Sequence, residues 1–266
     1  MRYFLEIAYN GAKYSGWQIQ HNAISVQQLV DEAIGKVVGK PTVSVGCGRT
    51  DTGVHATQFY IHFDVENKIS DSAKFIFQTN AILPFDICVF NLYDVDDKCH
   101  ARFDATSRTY HYIIHHTKNP FVNNMSAFMH SKIDLGLMNE CCQILYRYTN
   151  YECFCKSNTQ VKTFECKIEK AEWYVCGEFT IFTITADRFL RGMVRATVGT
   201  MMNVNNRKIT LNNLEEIIQS NNRRNAGKSV NPHGLYLTQV KYNFISNPVL
   251  RLPVIIGQTE NNSNIK

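Results

Sequence analysis

The chain has 266 residues, 44% hydrophobic and 19% charged, an ordinary composition for a globular protein with one large or two smaller packed units. Twenty-eight Lys and Arg against 23 Asp and Glu leave a net charge of +5, compatible with a polyanionic partner without establishing one. Nine cysteines without a Cys-x-x-Cys spacing argue against a zinc site, and their odd number argues against a disulfide framework. The amino terminus lacks an apolar signal-like region, and no apolar run is long enough to span a bilayer. The expectation is a reduced, cytoplasmic protein with no membrane association.

In chain order, Tyr3 to Ala8 alternates as a strand and runs into a polar, glycine-containing loop ending at Gln18. Val26, Leu29, Val30, Ala33, Ile34, Val37 and Val38 recur at helical spacing, behind a capping-box start at Ser25 and Gln28. The β-branched run Thr42, Val43 and Val45 predicts a strand that stops at a turn, and Gln58–Phe63 predicts its return. A helix from Asp71 to Asn80 and a strand around Ile87–Phe90 close the first half, giving βαββαβ. The order then repeats. Thr109–Ile114 reads as a strand, Leu135–Leu145 as a helix, and Cys166–Val175 and Thr180–Ala186 as strands. Helices follow over Arg188–Met202 and Thr210–Gln219, then a strand over Leu235–Tyr242. The predicted fold is α+β, two ferredoxin-like halves with adjoining antiparallel sheets and a catalytic cleft between them. The boundaries are 1–105, 106–246 and a polar tail, 247–266, whose Asn-rich end from Gly257 reads as disordered.

The turn after the first half's second strand carries the chemistry. Gly46, Gly48 and Gly53 bracket one cation and one carboxylate, Arg49 and Asp51. An arginine beside a carboxylate favours its ionised form, and an ionised carboxylate on a tight turn can act as base, nucleophile or metal ligand. The same pattern also fits a structural turn in which Asp51 caps backbone N–H groups. A phosphate cradle does not fit, because no Gly-Lys-Ser/Thr follows and the loop leads into a strand.

Gly48-Arg49-Thr50-Asp51-Thr52-Gly53-Val54-His55-Ala56 resembles the catalytic signature of the tRNA pseudouridine synthase A family. Tyr9-Asn10-Gly11 with Gly16-Trp17-Gln18-Ile19-Gln20 resembles that family's first motif, with Asn10 where Asp is usual. Ser25-Val26-Gln27, Leu83-Pro84-Phe85-Asp86-Ile87 and His100-Ala101-Arg102-Phe103-Asp104-Ala105 match as well. In Arg108-Thr109-Tyr110-His111-Tyr112 the first tyrosine is the family's active-site tyrosine. Phe189-Leu190-Arg191-Gly192-Met193-Val194-Arg195 resembles the helix whose last arginine pairs with the catalytic aspartate. The preceding Asp187-Arg188 departs from the family's small or amide residues. Ala226-Gly227 and Gly234-Leu235-Tyr236-Leu237 complete a match over about residues 3 to 242.

The resemblance implies an isomerase that converts uridine to pseudouridine in the anticodon stem-loop of tRNA, at positions thirty-eight to forty. That reaction changes no oxidation state and needs no cofactor or ATP. Asp51 is its catalytic carboxylate, whether by attack on C1′, attack on C6 or removal of a sugar proton. Tyr110 would stack on the extruded uracil or approach its C5 proton, or else be a packed strand tyrosine. Arg195 is the family's pairing arginine. Arg191, one predicted helical turn earlier, would contact phosphate or lie on a solvated face. Arg49 would fill the base stack or hold a phosphate, or form a salt bridge with Asp51. His55 and His100 read as structural. The resemblance also implies tRNA as partner and a homodimer with one tRNA across both subunits. The alternative is a non-catalytic tRNA-binding or folding protein, in which Asp51, Tyr110 or Arg195 would be replaced.

Overall fold

In the computed structural model, which describes residues 1–157, 159, 161–246 and 251–253, the first alternating run forms β1 (Arg2–Tyr9). Then follow α1 (Val26–Val38), β2 (Val45–Gly46), β3 (His55–Asp64), α2 (Ser72–Ile82) and β4 (Ile87–Val95). The next elements are β5 (Ala105–His115), β6 (Ala127–Phe128), α3 (Leu135–Leu145), β7 (Ile168–Cys176) and β8 (Phe179–Ala186). Helices α4 (Met193–Asn205) and α5 (Leu211–Gln219) precede β9 (Leu235–Tyr242). The protein is α+β, with mostly antiparallel pairing. Two compact units are present: Met1–Thr106 with Tyr236–Leu252, and a second built on Ser107–Leu235. The polar end from Gly257 lies outside the described residues.

In the first unit β1 pairs antiparallel with β3 and β4, and β2 pairs with β3. The order β4–β1–β3–β2 is that of the ferredoxin-like split unit. Registers Tyr3↔Phe63, Leu5↔Ile61 and Ile7↔Phe59 place these six side chains on one face. Phe75 of α2 stacks on Phe63 at 5.9 Å, so this is the face the helices cover. Val26, Val30, Ala33 and Ile34, buried at helical spacing on α1, supply its other apolar stripe. Glu6 points to the opposite face and is wholly buried. Its carboxylate accepts from Gln58 Nε2 at 3.0 Å, Asn91 Nδ2 at 2.6 Å and the Tyr93 hydroxyl at 3.2 Å, with Arg251 Nε at 3.7 Å. A buried charge needs such partners. From Tyr236 on, β9 packs within this unit, pairing parallel with β3 at His55↔Tyr236 and Ala56↔Leu237.

In the second unit β5, β8 and β7 pair antiparallel in that order. Helix α3 packs on β7 and against α4 and α5. Asp134 caps α3, and Thr210 with Asn213 forms a reciprocal capping box on α5.

Three predicted details change. The strand before the Asp51 turn is only Val45–Gly46, because the Ser44 N–H and hydroxyl bond Asp31 Oδ1 instead of a ladder partner. At α1, Ser25 accepts from the Gln28 N–H at 3.3 Å, but the Gln28 amide turns to Glu32, leaving half of the predicted box. Helix α4 starts at Met193 and not near Arg188, since Gly192 sits left-handed at φ 73° and breaks the chain's direction there.

Candidate active site

In the first unit, Asp51 lies at the tip of the loop between β2 and β3, half-buried. Its carbonyl accepts from the Val54 N–H at 3.1 Å, which closes the turn. Its flanks are clamped by the loop that follows β1. The Trp17 N–H donates to the Thr50 carbonyl at 3.4 Å, and the Gly53 N–H donates to the Tyr14 carbonyl at 3.2 Å. Tyr9 and Thr50 share a hydroxyl–hydroxyl bond of 2.9 Å. Gly16 makes this approach possible: it is left-handed at φ 87°, and a Cβ there would meet the Thr50 carbonyl oxygen at 2.2 Å. The clamping loop is itself anchored, since the Asn10 N–H donates to the Asp86 carbonyl at 2.9 Å and the Tyr14 hydroxyl donates to Asp86 Oδ1. Trp17 packs its ring on Phe59 at 4.5 Å beneath the turn. Two sequence motifs some forty residues apart thus form one rigid seat for the carboxylate.

Arg49 does not serve as the neighbouring cation that the sequence suggested. Its side chain is exposed and has no ion pair among the described residues. The salt bridge to Asp51 is therefore corrected. The two side chains leave the turn differently, Arg49 into solvent and Asp51 half-buried. His55 is fully buried and accepts from the Gly11 N–H through Nδ1 at 3.1 Å. His100 Nδ1 accepts from the N–H groups of Arg102 and Phe103 at 3.1 and 3.3 Å.

In the second unit, Tyr110 sits opposite Ile184 on β5, half-buried, with its ring edge-to-face against Phe189 at 5.0 Å. Tyr112, two residues on and on the same face, is the packed strand tyrosine. It is wholly buried, and its hydroxyl donates to the Asn231 carbonyl at 2.9 Å. Burial pushes the Tyr112 hydroxyl pKa upward, and the nearby Arg195 charge partly opposes the shift. Arg195, in the first turn of α4, donates from Nε to the Val230 carbonyl at 2.8 Å, and its own carbonyl accepts from the Val230 N–H at 3.2 Å. Arg191 lies before Gly192, outside the helix and exposed, its carbonyl accepting from the Lys156 N–H at 2.8 Å. The predicted shared helical face of Arg191 and Arg195 is corrected for that reason. Asp187, the departure from the family pattern, holds the local backbone: its carboxylate accepts from the N–H groups of Lys167 and Arg188, both at 2.7 Å.

The sequence reading passed over Phe189 as a partner of Tyr110, although the residue stands in a quoted motif. It quoted Ala226-Gly227 as a match but passed over Val230, which no periodicity marks, as the partner of Arg195. Among the described residues no group of three His, Cys, Asp or Glu side chains is placed to hold a metal ion.

Comparison with known proteins supplies the decisive observation. The chain is 44% identical over 244 residues to the tRNA pseudouridine synthase A of Porphyromonas gingivalis, covering 91% of this chain and 97% of that one. The enzyme of the same name from Bacteroides fragilis is 44% identical over 242 residues, covering 91% and 96%. The chain belongs to the tRNA pseudouridine synthase A family. A family model described as tRNA pseudouridine synthase also matches residues 148–243. The counterpart from Parabacteroides distasonis, also named tRNA pseudouridine synthase A, is 43% identical over 241 residues, 91% of this chain and 96% of that one. These full-length matches take in both the Asp51 turn and the Tyr110 and Arg195 segments.

Proposed function

We propose that Asp51 is the carboxylate with which this tRNA pseudouridine synthase isomerises uridine in the anticodon stem-loop, at positions thirty-eight to forty. The reaction breaks the N1–C1′ bond, forms a C5–C1′ bond, and moves a proton from C5 to N1, so atoms and oxidation states balance within the nucleotide. The carrying observation is the double clamp on Thr50 and Gly53, which fixes the turn between them through backbone and hydroxyl groups. A preorganised group loses little when the transition state forms. Tyr110 receives the extruded base, steadied by Phe189. Arg195 acts in substrate binding, and Arg49 and Arg191, both exposed, meet tRNA phosphates. No cofactor enters the chemistry. A homodimer shares each tRNA, and the enzyme works in the cytoplasm; no helix among the described residues is long and apolar enough to cross a membrane.

The non-catalytic reading is not favoured, since Asp51, Tyr110 and Arg195 are all present. The test is incubation with unmodified tRNA transcripts, followed by chemical mapping of pseudouridine after exhaustive dialysis against chelator. Modification confined to positions thirty-eight to forty supports the proposal, and modification elsewhere or a need for an added cofactor overturns it. Asp51→Asn keeps the shape and removes the charge, so tRNA should still bind while turnover disappears. Residual turnover within about tenfold of wild type, a barrier change of only about 1.4 kcal/mol, would assign the chemistry to another group.

A further inference from the structure

Arg195 is aimed by a piece of backbone, and one side chain bonds the stretch that leads into it at three points. Its Nε–H ends on the Val230 carbonyl at 2.8 Å. The segment leading to Val230 has no regular secondary structure, so something other than a ladder must fix it. Arg223 does this. Nη1 donates to the carbonyls of Ala226 and Gly227 at 3.3 and 3.1 Å, and Nη2 donates to Ser229 Oγ at 3.3 Å. From the other side, Thr200 Oγ1 of α4 accepts from the Gly227 N–H at 2.9 Å. Gly199 lets the segment touch the helix, since a Cβ there would meet the Lys228 carbonyl oxygen at 1.9 Å.

We propose that Arg223 is a positioning residue for catalysis, acting through segment 226–230 to set where the Arg195 guanidinium points. This rests on the reading of Arg195 as part of the active site. The planar fork of an arginine reaches three acceptors at once, and a lysine at that position cannot. Loss of the fork frees the segment, moves the Val230 carbonyl and turns Arg195 away from its working direction. A misplacement of about 1 Å near reacting groups is enough to cost up to about a hundredfold in rate.

The experiment is a double-mutant cycle on the full-length enzyme with unmodified tRNA, measuring single-turnover rate, tRNA affinity and melting temperature. Arg223→Ala should slow turnover by about ten- to a hundredfold with tRNA affinity held within about threefold, and Arg223→Lys should recover part of the rate. In an Arg195→Lys background, which has no Nε–H for Val230, Arg223→Ala should cause little additional loss. Gly199→Ala pushes the same segment from the helix side, so it should reproduce the rate defect with Arg223 intact, even if Arg223→Ala folds poorly. Equal slowing by Arg223→Ala in the wild-type and Arg195→Lys backgrounds, with Arg195→Lys itself impaired, would overturn the proposal alone. An Arg195→Lys enzyme as fast as wild type would remove Arg195 from the active site, and this proposal with it.

Discussion

The N–H of Gly11 donates to Nδ1 of His55 at 3.1 Å, so the first motif of the chain ends on the last part of the Gly48–Ala56 motif. Nδ1 must be unprotonated to accept, and the ring stacks on Tyr236 at 4.5 Å. The histidine is a joint between two loops. His55→Phe would keep a ring on Tyr236 and leave the buried Gly11 N–H without its acceptor. The expected loss is about 1–3 kcal/mol in chemical denaturation, the cost of an unsatisfied buried donor. Undiminished stability with lost turnover would instead make His55 a participant in the chemistry.

Gly16→Ala is the most direct way to disturb the Asp51 seat without touching it. Its backbone at φ 87° is strained for alanine, and the new Cβ would meet the Thr50 carbonyl oxygen at 2.2 Å. The backbone strain alone is about 1–3 kcal/mol. Turnover should fall by much more than tRNA affinity, because the loops separate beside the carboxylate and not over a broad RNA surface. Equal losses in rate and affinity would show that the seat serves binding.

Tyr110 separates two chemical roles. Tyr110→Phe keeps a ring against Phe189 and removes the hydroxyl, whereas Tyr110→Leu removes both. If the hydroxyl works in proton removal, Phe should be nearly as slow as Leu; if stacking is the role, Phe should approach wild type. A fully active Leu variant would place the base elsewhere.

Much of this was legible in the sequence. Leu135–Leu145 and Leu235–Tyr242 form the predicted helix and strand end to end, because their apolar periods are unbroken and each is bounded by a turn or cap. The start of α4 was not legible. Phe189–Leu190 continues the apolar pattern, and only the left-handed Gly192 stops it. Asp51 was singled out by its motif, but its seat was not, because Gly16 meets Thr50 through backbone atoms that no residue type announces. The same holds for Val230 and Arg195, joined by backbone groups on segments 35 residues apart in sequence. Arg49 misled for the converse reason. Two residues close together on a turn suggested a charge pair, but the Arg49 side chain is exposed while Asp51 is half-buried.

Buried titratable groups make stability fall in acid. Burial lowers the pKa of His62 to about 4, with Arg2 and His100 adding to the shift, and Nδ1 of this ring accepts from the Ala101 N–H at 3.0 Å. His111 is lowered to about 4 by burial and then by Lys170. Asp31 is raised to about 6 by burial, against the bonds it accepts from Ser44. Near pH 5 the unfolded chain therefore holds protons on both histidines that the folded chain lacks, while the folded chain holds one on Asp31 that the unfolded chain lacks. These three groups give two minus one, one proton taken up on unfolding, and His100 and His115, whose pKa values burial also lowers, add to that uptake. Stability should therefore fall by at least about 1.4 kcal/mol per pH unit as pH drops from about 6.5 toward 4. Asp31→Asn keeps an acceptor for Ser44 and removes the opposing contribution, so its loss should be steeper than that of wild type by up to about 1.4 kcal/mol per pH unit. His111→Gln removes one of the histidine contributions and should make the wild-type slope shallower by up to about 1.4 kcal/mol per pH unit. Denaturant titrations at several pH values between about 7 and 4.5 decide it. A wild-type slope of zero, or an Asp31→Asn slope no steeper than wild type, would mean that these groups are not buried in the charge states described.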